Sequence, residues 1–243
     1  MTIYTALQIG EYHLDHCEDQ FFVGETGNQK LLCAVMDGCT MATESYFAST
    51  LIAKLLRKIA KQRSFQELYQ QANYVVPETE LRSVLNELFN ELNKARNSLM
   101  LDTKELLSTI IIFLLDIEKR TGAWIAIGDG MICFDQQVNN FDQDNKPDYL
   151  GYHLSKDFEQ WYNGHLQKGC FGPVSSISIA SDGIFSFIPT DNKQYPSVNV
   201  LNYLLFDPEH SDRKDMLSLK LKRIEYIHGL KPGDDLSLVK VIL

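Results

Sequence analysis

Apolar runs that stop at Asp-Gly constrain this chain more than any other feature. Residues 31–36 end at Asp37-Gly38, residues 123–127 lead through Gly128 to Asp129-Gly130, and residues 177–180 lead through Ser181 to Asp182-Gly183. A fourth copy is reversed, with Gly233-Asp234-Asp235 opening the apolar stretch 236–243. Short apolar runs bounded by Gly and Asp read as buried strands. Each delivers a carboxylate to a strand end, beside a glycine that lets the backbone turn or approach a ligand closely. Any single Asp-Gly reads first as a hairpin turn. Turns do not, however, require Asp at the end of three apolar runs and before a fourth. Gathered carboxylates repel one another unless a cation lies between them, and hard divalent cations take oxygen ligands. The pattern points to a carboxylate-rich metal site.

Around these runs the other elements fall into place. Residues 2–10 and 19–24 read as strands. Residues 44–61 read as a helix, with Phe47, Leu51, Ile52, Leu55, Leu56 and Ile59 at spacings of three and four. Ser64 is placed as the cap of a following turn. A second helix is expected from Pro77 to about Leu99, with Pro77 near its first position and Leu81, Val84, Leu85, Leu88, Phe89 and Leu92 on one face. Strands resume at 108–116 and 121–127, joined by a turn at Glu118-Lys119-Arg120, and 131–134 is expected to pair back across Asp129-Gly130. Residues 139–147 are polar and read as a loop, and 149–173 as irregular, with Phe158, Trp161, Tyr162 and Phe171. Helices at 198–206 and 213–227 precede the closing strand at Leu236. Strands, two helices, strands, two helices and a strand fit neither βαβ alternation nor a repeat. The expectation is one α+β domain over residues 1–243, its antiparallel sheets sandwiched by helix pairs.

Composition narrows the partners. A formal net charge of −9 leaves no excess of Lys and Arg for a nucleic-acid or anionic membrane surface. Residues 213–223 carry the clearest basic run, but Asp215 and apolar residues break it into a solvated helix face. Cys17, Cys33, Cys39, Cys133 and Cys170 form no CxxC pair and no metal-finger spacing, which fits reduced thiols in the cytoplasm. The first residues lack the basic and apolar regions of a signal peptide. The strongest apolar run, 110–115, is too short to span a bilayer. A cytoplasmic monomer is expected.

Taken in order, the motifs resemble those of the metal-dependent PP2C-type (PPM) protein Ser/Thr phosphatases over nearly the whole chain. Glu18-Asp19 sits where that family has an early acidic pair, and Val35-Met36-Asp37-Gly38 before a helix matches its first DG motif. Ser108-Thr109 is similar to its GST segment and Gly128-Asp129-Gly130 to its GDS motif. Ala180-Ser181-Asp182-Gly183-Ile184-Phe185 resembles ASDG(L/I)(W/F), and Gly233-Asp234-Asp235-Leu236-Ser237 resembles the terminal DN(I/M)(T/S) strand in a DD form. The resemblance implies a four-layer αββα sandwich with two Mn²⁺ or Mg²⁺ ions at one end. It implies that Asp37 bridges the ions, that the Gly38 carbonyl ligates one, and that Asp182 and Asp234 complete the other. Glu18 and Asp19 then act in or near the ligand shell through water. Asp129 matches the position of a third, weaker metal, and reads equally as a turn residue.

Several positions depart from the family pattern. Leu14 stands where an Arg often grips the phosphate, with His13 and His16 nearby as substitutes or as surface and core residues. Cys39 follows the first DG motif in place of a His, and Thr40-Met41-Ala42-Thr43 replaces a glycine-rich continuation. Ser186 stands where some members have an acid for the third metal. Residues 141–173 cover the family's flap or variable segment, where the aromatic stretch either shapes specificity or packs on itself. The expected activity is hydrolysis of phosphoserine and phosphothreonine in proteins by a metal-activated water, with a cognate Ser/Thr kinase as a partner. A catalytically weak regulatory or binding module on the same fold is the alternative. A carboxylate-rich metal hydrolase of unrelated fold ranks last.

Overall fold

Strands β1 (Thr2–Gln8), β2 (Gln20–Gly27) and β3 (Lys30–Met36) open the chain, and β3 is apolar at nearly every position because it is covered on both faces. In the computed structural model, which describes residues 1–69, 74–142 and 148–243, its side chains divide by parity. Leu32, Ala34 and Met36 pack against helices α1 (Phe47–Tyr69) and α2 (Pro77–Leu99). Leu31, Cys33 and Val35 pack against a second sheet. Strand β4 (Ile110–Asp116) repeats the division, with Ile110, Ile112 and Leu114 toward the helices and Ile111, Phe113 and Leu115 toward the other sheet. Two-residue periodicity inside an unbroken apolar run thus builds two cores at once.

The first sheet has the order β2-β3-β4-β5-β8, where β5 is Thr121–Ile127 and β8 is Lys168–Phe171. The second has the order β1-β12-β9-β6-β7, with β6 Gly130–Phe134, β7 Gln137–Phe141, β9 Ser176–Ala180 and β12 Leu236–Ile242. Every neighbouring pair in both sheets is antiparallel. Ile177, Ile179, Val239 and Val241 meet the first sheet, while Met131, Cys133, Leu236 and Leu238 turn outward. There they meet α4 (Val200–Leu205) and α5 (Met216–His228) through Leu204, Leu217, Leu221 and Ile224. A short pair, β10 (Phe187–Pro189) and β11 (Leu230–Pro232), adjoins this half. The result is the four-layer αββα sandwich expected from the sequence. No described helix is long and apolar enough to cross a membrane.

Helix α2 keeps its expected bounds. Pro77 sits in its first turn, and the predicted face is buried from Leu81 to Leu92. Four expectations need correction. Helix α1 starts at Phe47 and runs on to Tyr69, so Ser64 lies inside it and donates its hydroxyl to the Glu25 carbonyl at 2.9 Å. Residues 62–69 are mostly good helix formers, and Arg63 pairs with Glu87 of α2 at 3.1 Å, which extends the helix. Residues 131–134 do not pair with β5. The chain crosses between sheets at Gly128 and Gly130, whose φ of 97° and 124° few side chains tolerate, and β6 pairs with β7 and β9.

The expected loop at 139–147 begins as strand, because β7 is an edge strand whose half-exposed face tolerates polar residues; residues 143–147 lie outside those described. The aromatic stretch is neither irregular throughout nor packed only on itself. It forms α3 (Phe158–Gly164) and β8, and Trp161 and Tyr162 join the helix-side core. Phe89 of α2 lies 4.7 Å from Trp161 and 5.2 Å from Phe158, centroid to centroid. Asp157 caps α3 by accepting the Gln160 N–H at 2.8 Å.

Candidate metal centre

Three strand ends carry their carboxylates toward one place. Asp37 follows β3, Asp182 opens a 3₁₀ turn (Asp182–Phe185) just past β9, and Asp234 precedes β12, the neighbour of β9. Thr109 holds the Asp37 backbone on both sides. Its N–H donates to the Asp37 carbonyl at 2.9 Å and its hydroxyl accepts the Asp37 N–H at 3.3 Å. Beside it, the Gly38 N–H donates to the Glu18 carbonyl at 3.2 Å. No room is left for a side chain, since a Cβ on Gly38 would stand 2.0 Å from the Ser45 carbonyl oxygen. Gly38→Ala is therefore expected to cost about 1–3 kcal/mol in urea unfolding. An unchanged midpoint and slope would show that the loop yields freely.

The carboxyls act on one another. Burial raises Asp37 well above the usual carboxylate range, and the charges of Asp19, Asp182 and Asp234 raise it further. Burial, then Asp129, Asp234 and Asp19, pushes Asp182 up to about 7. Asp19, 2% exposed, is also pushed up to about 7 by burial, against the Ser181 hydroxyl that donates to its Oδ2 at 2.5 Å. Its Oδ1 is buried and receives no hydrogen bond among the described residues. Burial raises Asp129 too, helped by Asp142 and Asp234. Buried Glu18 accepts the Thr40 hydroxyl at 3.1 Å. These groups share an electrostatic neighbourhood, yet among the described residues no three His, Cys, Asp or Glu side chains form a ready-made metal cage. An acid-only donor set with an orphaned buried oxygen, in which neighbouring acids raise Asp37 and Asp182, fits hard divalent cations.

The structure separates the two histidines. His13 Nδ1 lies 2.9 Å from Asp235 Oδ2 and 3.8 Å from Asp234 Oδ1, and Nε2 lies 3.9 Å from Glu18. Burial opposes charge on its ring, but Asp235, Glu18 and Asp234 hold its pKa above the usual value. His16 is exposed and packs on Tyr46 at 4.6 Å. Leu14, where an Arg would stand, is 90% exposed. Cys39 is buried, and the Tyr149 hydroxyl hydrogen-bonds its thiol. Burial, that bond and the charges of Asp37 and Asp129 keep the Tyr149 phenol protonated well above its usual range.

Two residues here were not assigned from the sequence. Asp235 is buried and accepts the backbone N–H of Gly10 at 2.6 Å and that of Glu18, so it ties the acidic pair to the start of β12. Its position directly before a strand buried at nearly every residue was a usable signal. Nothing in the spacing marks Tyr149, which only chain folding brings to Cys39.

Comparison with known proteins agrees with this architecture. The family model described as Protein phosphatase 2C matches residues 10–219. No curated protein matches the chain. Among solved structures, a bacterial serine phosphatase bearing an arginine-to-glutamate substitution is 15% identical at a TM-score of 0.63, covering 100% of this chain and 98% of its own. RsbX in complex with magnesium is 14% identical at 0.57, covering 98% and 92%. The PP2C phosphatase domain of SpoIIE from Bacillus subtilis, with a fragment of its regulatory domain, is 15% identical at 0.58, covering 99% and 63%. An unrelated fold is thereby excluded. With the family model spanning most of the chain and the layered architecture shared with these structures, this protein belongs to the Protein phosphatase 2C family.

Proposed function

We propose that this protein is a metal-dependent phosphomonoesterase that hydrolyses phosphoserine or phosphothreonine in proteins. The observation that carries the reading is the gathering of Asp37, Asp182 and Asp234 around buried Asp19, where burial and neighbouring acid charges raise the pKa of Asp19, Asp37 and Asp182. A fold without a cation to place there has no use for so much repulsion. Asp37, the Gly38 carbonyl, Asp182 and Asp234 are the groups to hold two Mn²⁺ or Mg²⁺ ions, with Asp19 and Glu18 acting directly or through water and Asp129 serving a weaker third site. Such ions, when bound, supply an activated water and offset charge on the phosphoryl oxygens.

The chain's own groups position and exclude. Ser181 holds one oxygen of Asp19 and leaves the other free. Asp235 fixes Gly10, Glu18 and His13, so His13 serves as a positioning group committed to carboxylates rather than as a grip on phosphate. The Tyr149 phenol, kept protonated, is a hydrogen-bond donor beside Asp37. Cys39 acts as a buried partner of Tyr149 and not as a nucleophile, because a reactive thiol calls for a cationic partner, and among the described residues no Lys, Arg or His hydrogen-bonds it. Cys39→Ser is expected to keep turnover within about fivefold of the parent, since a hydroxyl can still pair with the phenol. Complete loss in steady-state assays would instead assign the Cys39 thiol a part in turnover.

A binding or regulatory module is the second reading, and the exposed Leu14 favours it. Among the described residues no Lys or Arg pairs with these carboxylates, and a neutral or committed imidazole replaces poorly a guanidinium fork. The substrate is a phosphoprotein with its cognate Ser/Thr kinase, and the setting a cytoplasmic monomer of one domain that binds no nucleic acid. Support for protein partners comes from neighbours described as the cell fate determinant SpoIIE and as part of the bacterial stressosome. Hydrolysis of p-nitrophenyl phosphate and of a phosphothreonine peptide, with Mn²⁺ and with EDTA, separates the readings. Metal-dependent turnover establishes the phosphatase. Mn²⁺ binding without turnover establishes the module.

A further inference from the structure

Away from the acidic centre, the free edge of β2 and the adjoining flank of α1 enclose a cavity of about 600 Å³. Phe22, Ala60 and Phe65 give it an apolar lining, and Arg57 and Lys61 stand along it. Among the described residues β2 is the outermost strand of its sheet, so half of its backbone groups face away from β3. Two hydrogen bonds identify which half. The Phe21 N–H is taken by the side chain of Gln20 at 3.1 Å, and the Glu25 carbonyl accepts the Ser64 hydroxyl at 2.9 Å. Alternation then puts the N–H and C=O of Val23, midway between them, on the open side and beside the cavity.

Charge adds a second, independent sign. Helix α1 carries Lys54, Arg57, Lys58, Lys61 and Arg63 against one acid, Glu67, in a chain of net charge −9. Toward α2 the cations are matched: Lys58 pairs with Glu91, and Arg63 with Glu87 at 3.1 Å. Toward the cavity they are not. Arg57 and Lys61 are one helical turn apart and exposed, and neither forms an ion pair among the described residues, although Glu25 also lines the cavity. Phe65, one turn beyond Lys61, is 62% exposed.

We propose that this groove is a docking site for an extended acidic segment of a partner protein, which adds as a strand to the free edge of β2. Val23 then supplies the central backbone pairing. Side chains on one face of a strand recur every second residue, so the segment presents an apolar side chain to the cavity and carboxylates two residues away to Arg57 and Lys61. Main-chain pairing with alternate side-chain pockets is the physics of strand addition. The proposal is independent of the metal centre and stands whether or not the protein turns over phosphoesters.

The test is an amide NMR titration of the ¹⁵N-labelled full chain with the capped peptide Thr-Glu-Thr-Val-Thr-Glu-Thr. The same peptide with Lys in place of Glu and phosphatidylglycerol vesicles serve as comparisons. Shifts centred on Val23, Glu25 and Arg57 with the Glu peptide, and none with the Lys peptide, are expected. Affinity is expected to fall at least tenfold in the double variant Arg57→Glu with Lys61→Glu, which alters exposed side chains only and should melt like the parent. The proposal is overturned by equal binding of both peptides, by affinity retained in the double variant, or by no shift at millimolar Glu peptide. Vesicle binding that the double variant loses, without peptide binding, overturns it too and assigns the surface to lipid.

Discussion

Asp182→Asn is expected to lower Mn²⁺-dependent phosphatase turnover by on the order of 10³-fold or more, about 4 kcal/mol of transition-state stabilisation, while the fold survives. The amide keeps the shape of the carboxylate and its place in the turn past β9 but removes the charge that a cation would neutralise. Because burial and Asp129, Asp234 and Asp19 push the carboxyl up to about 7, its ionised form strains the metal-free fold. The same substitution should therefore stabilise the EDTA-treated protein at pH 8, by on the order of 1 kcal/mol after discount for its partial exposure. Loss of turnover with a gain in metal-free stability is the signature of a cation ligand. Undiminished kcat in the variant would remove Asp182 from the mechanism.

Stability itself should depend on pH and on metal in a linked way. Asp19 and Asp182 have values of about 7 in the fold against a reference of 3.8, and Asp37 is raised well above the same reference. For a carboxyl raised in the fold, the stabilisation is fully present below the unfolded pKa and is lost as pH rises through the folded one. His13, raised above 6.5, contributes with the same sign. The metal-free protein should therefore lose stability from about pH 4 to 8, by at most about 1.4 kcal/mol per pH unit for each such group. Mn²⁺ at about a hundred times its dissociation constant restores about 2.7 kcal/mol at pH 8, a rise of roughly 5–10 °C in Tm. Thermal melts in EDTA and in Mn²⁺ at pH 5.5, 7 and 8 would decide the matter. A metal-free Tm that rises toward pH 8, or one at pH 8 that ignores Mn²⁺, contradicts the proposed centre.

Much of this architecture was legible before folding because double-sided burial leaves a mark in sequence. β3, β4 and β12 are apolar on both parities since each separates two cores, and the face of α2 from Leu81 to Leu92 repeats at helical spacing. Strand ends were legible too, because Asp and Gly interrupt the apolar runs there. Sheet membership was not. β5 and β6 are separated by two residues, as a hairpin would be, and only the left-handed backbone at Gly128 and Gly130 sends them into different sheets. Likewise the aromatic stretch reads as irregular until Phe89 of α2 is placed beside Trp161.

By itself, then, the sequence determined the layers, the helix faces and which carboxylates stand at strand ends, because local periodicity and chain-breaking residues encode burial and termination. The tertiary structure alone decided what those carboxylates meet. Asp235 was turned inward to hold Gly10, Glu18 and His13, Tyr149 was brought to Cys39, and His16 was left on Tyr46. Each of those pairings except the last joins residues more than a hundred positions apart or across a variable segment. Their distances follow from how the two sheets stack, and no local pattern in the chain records that.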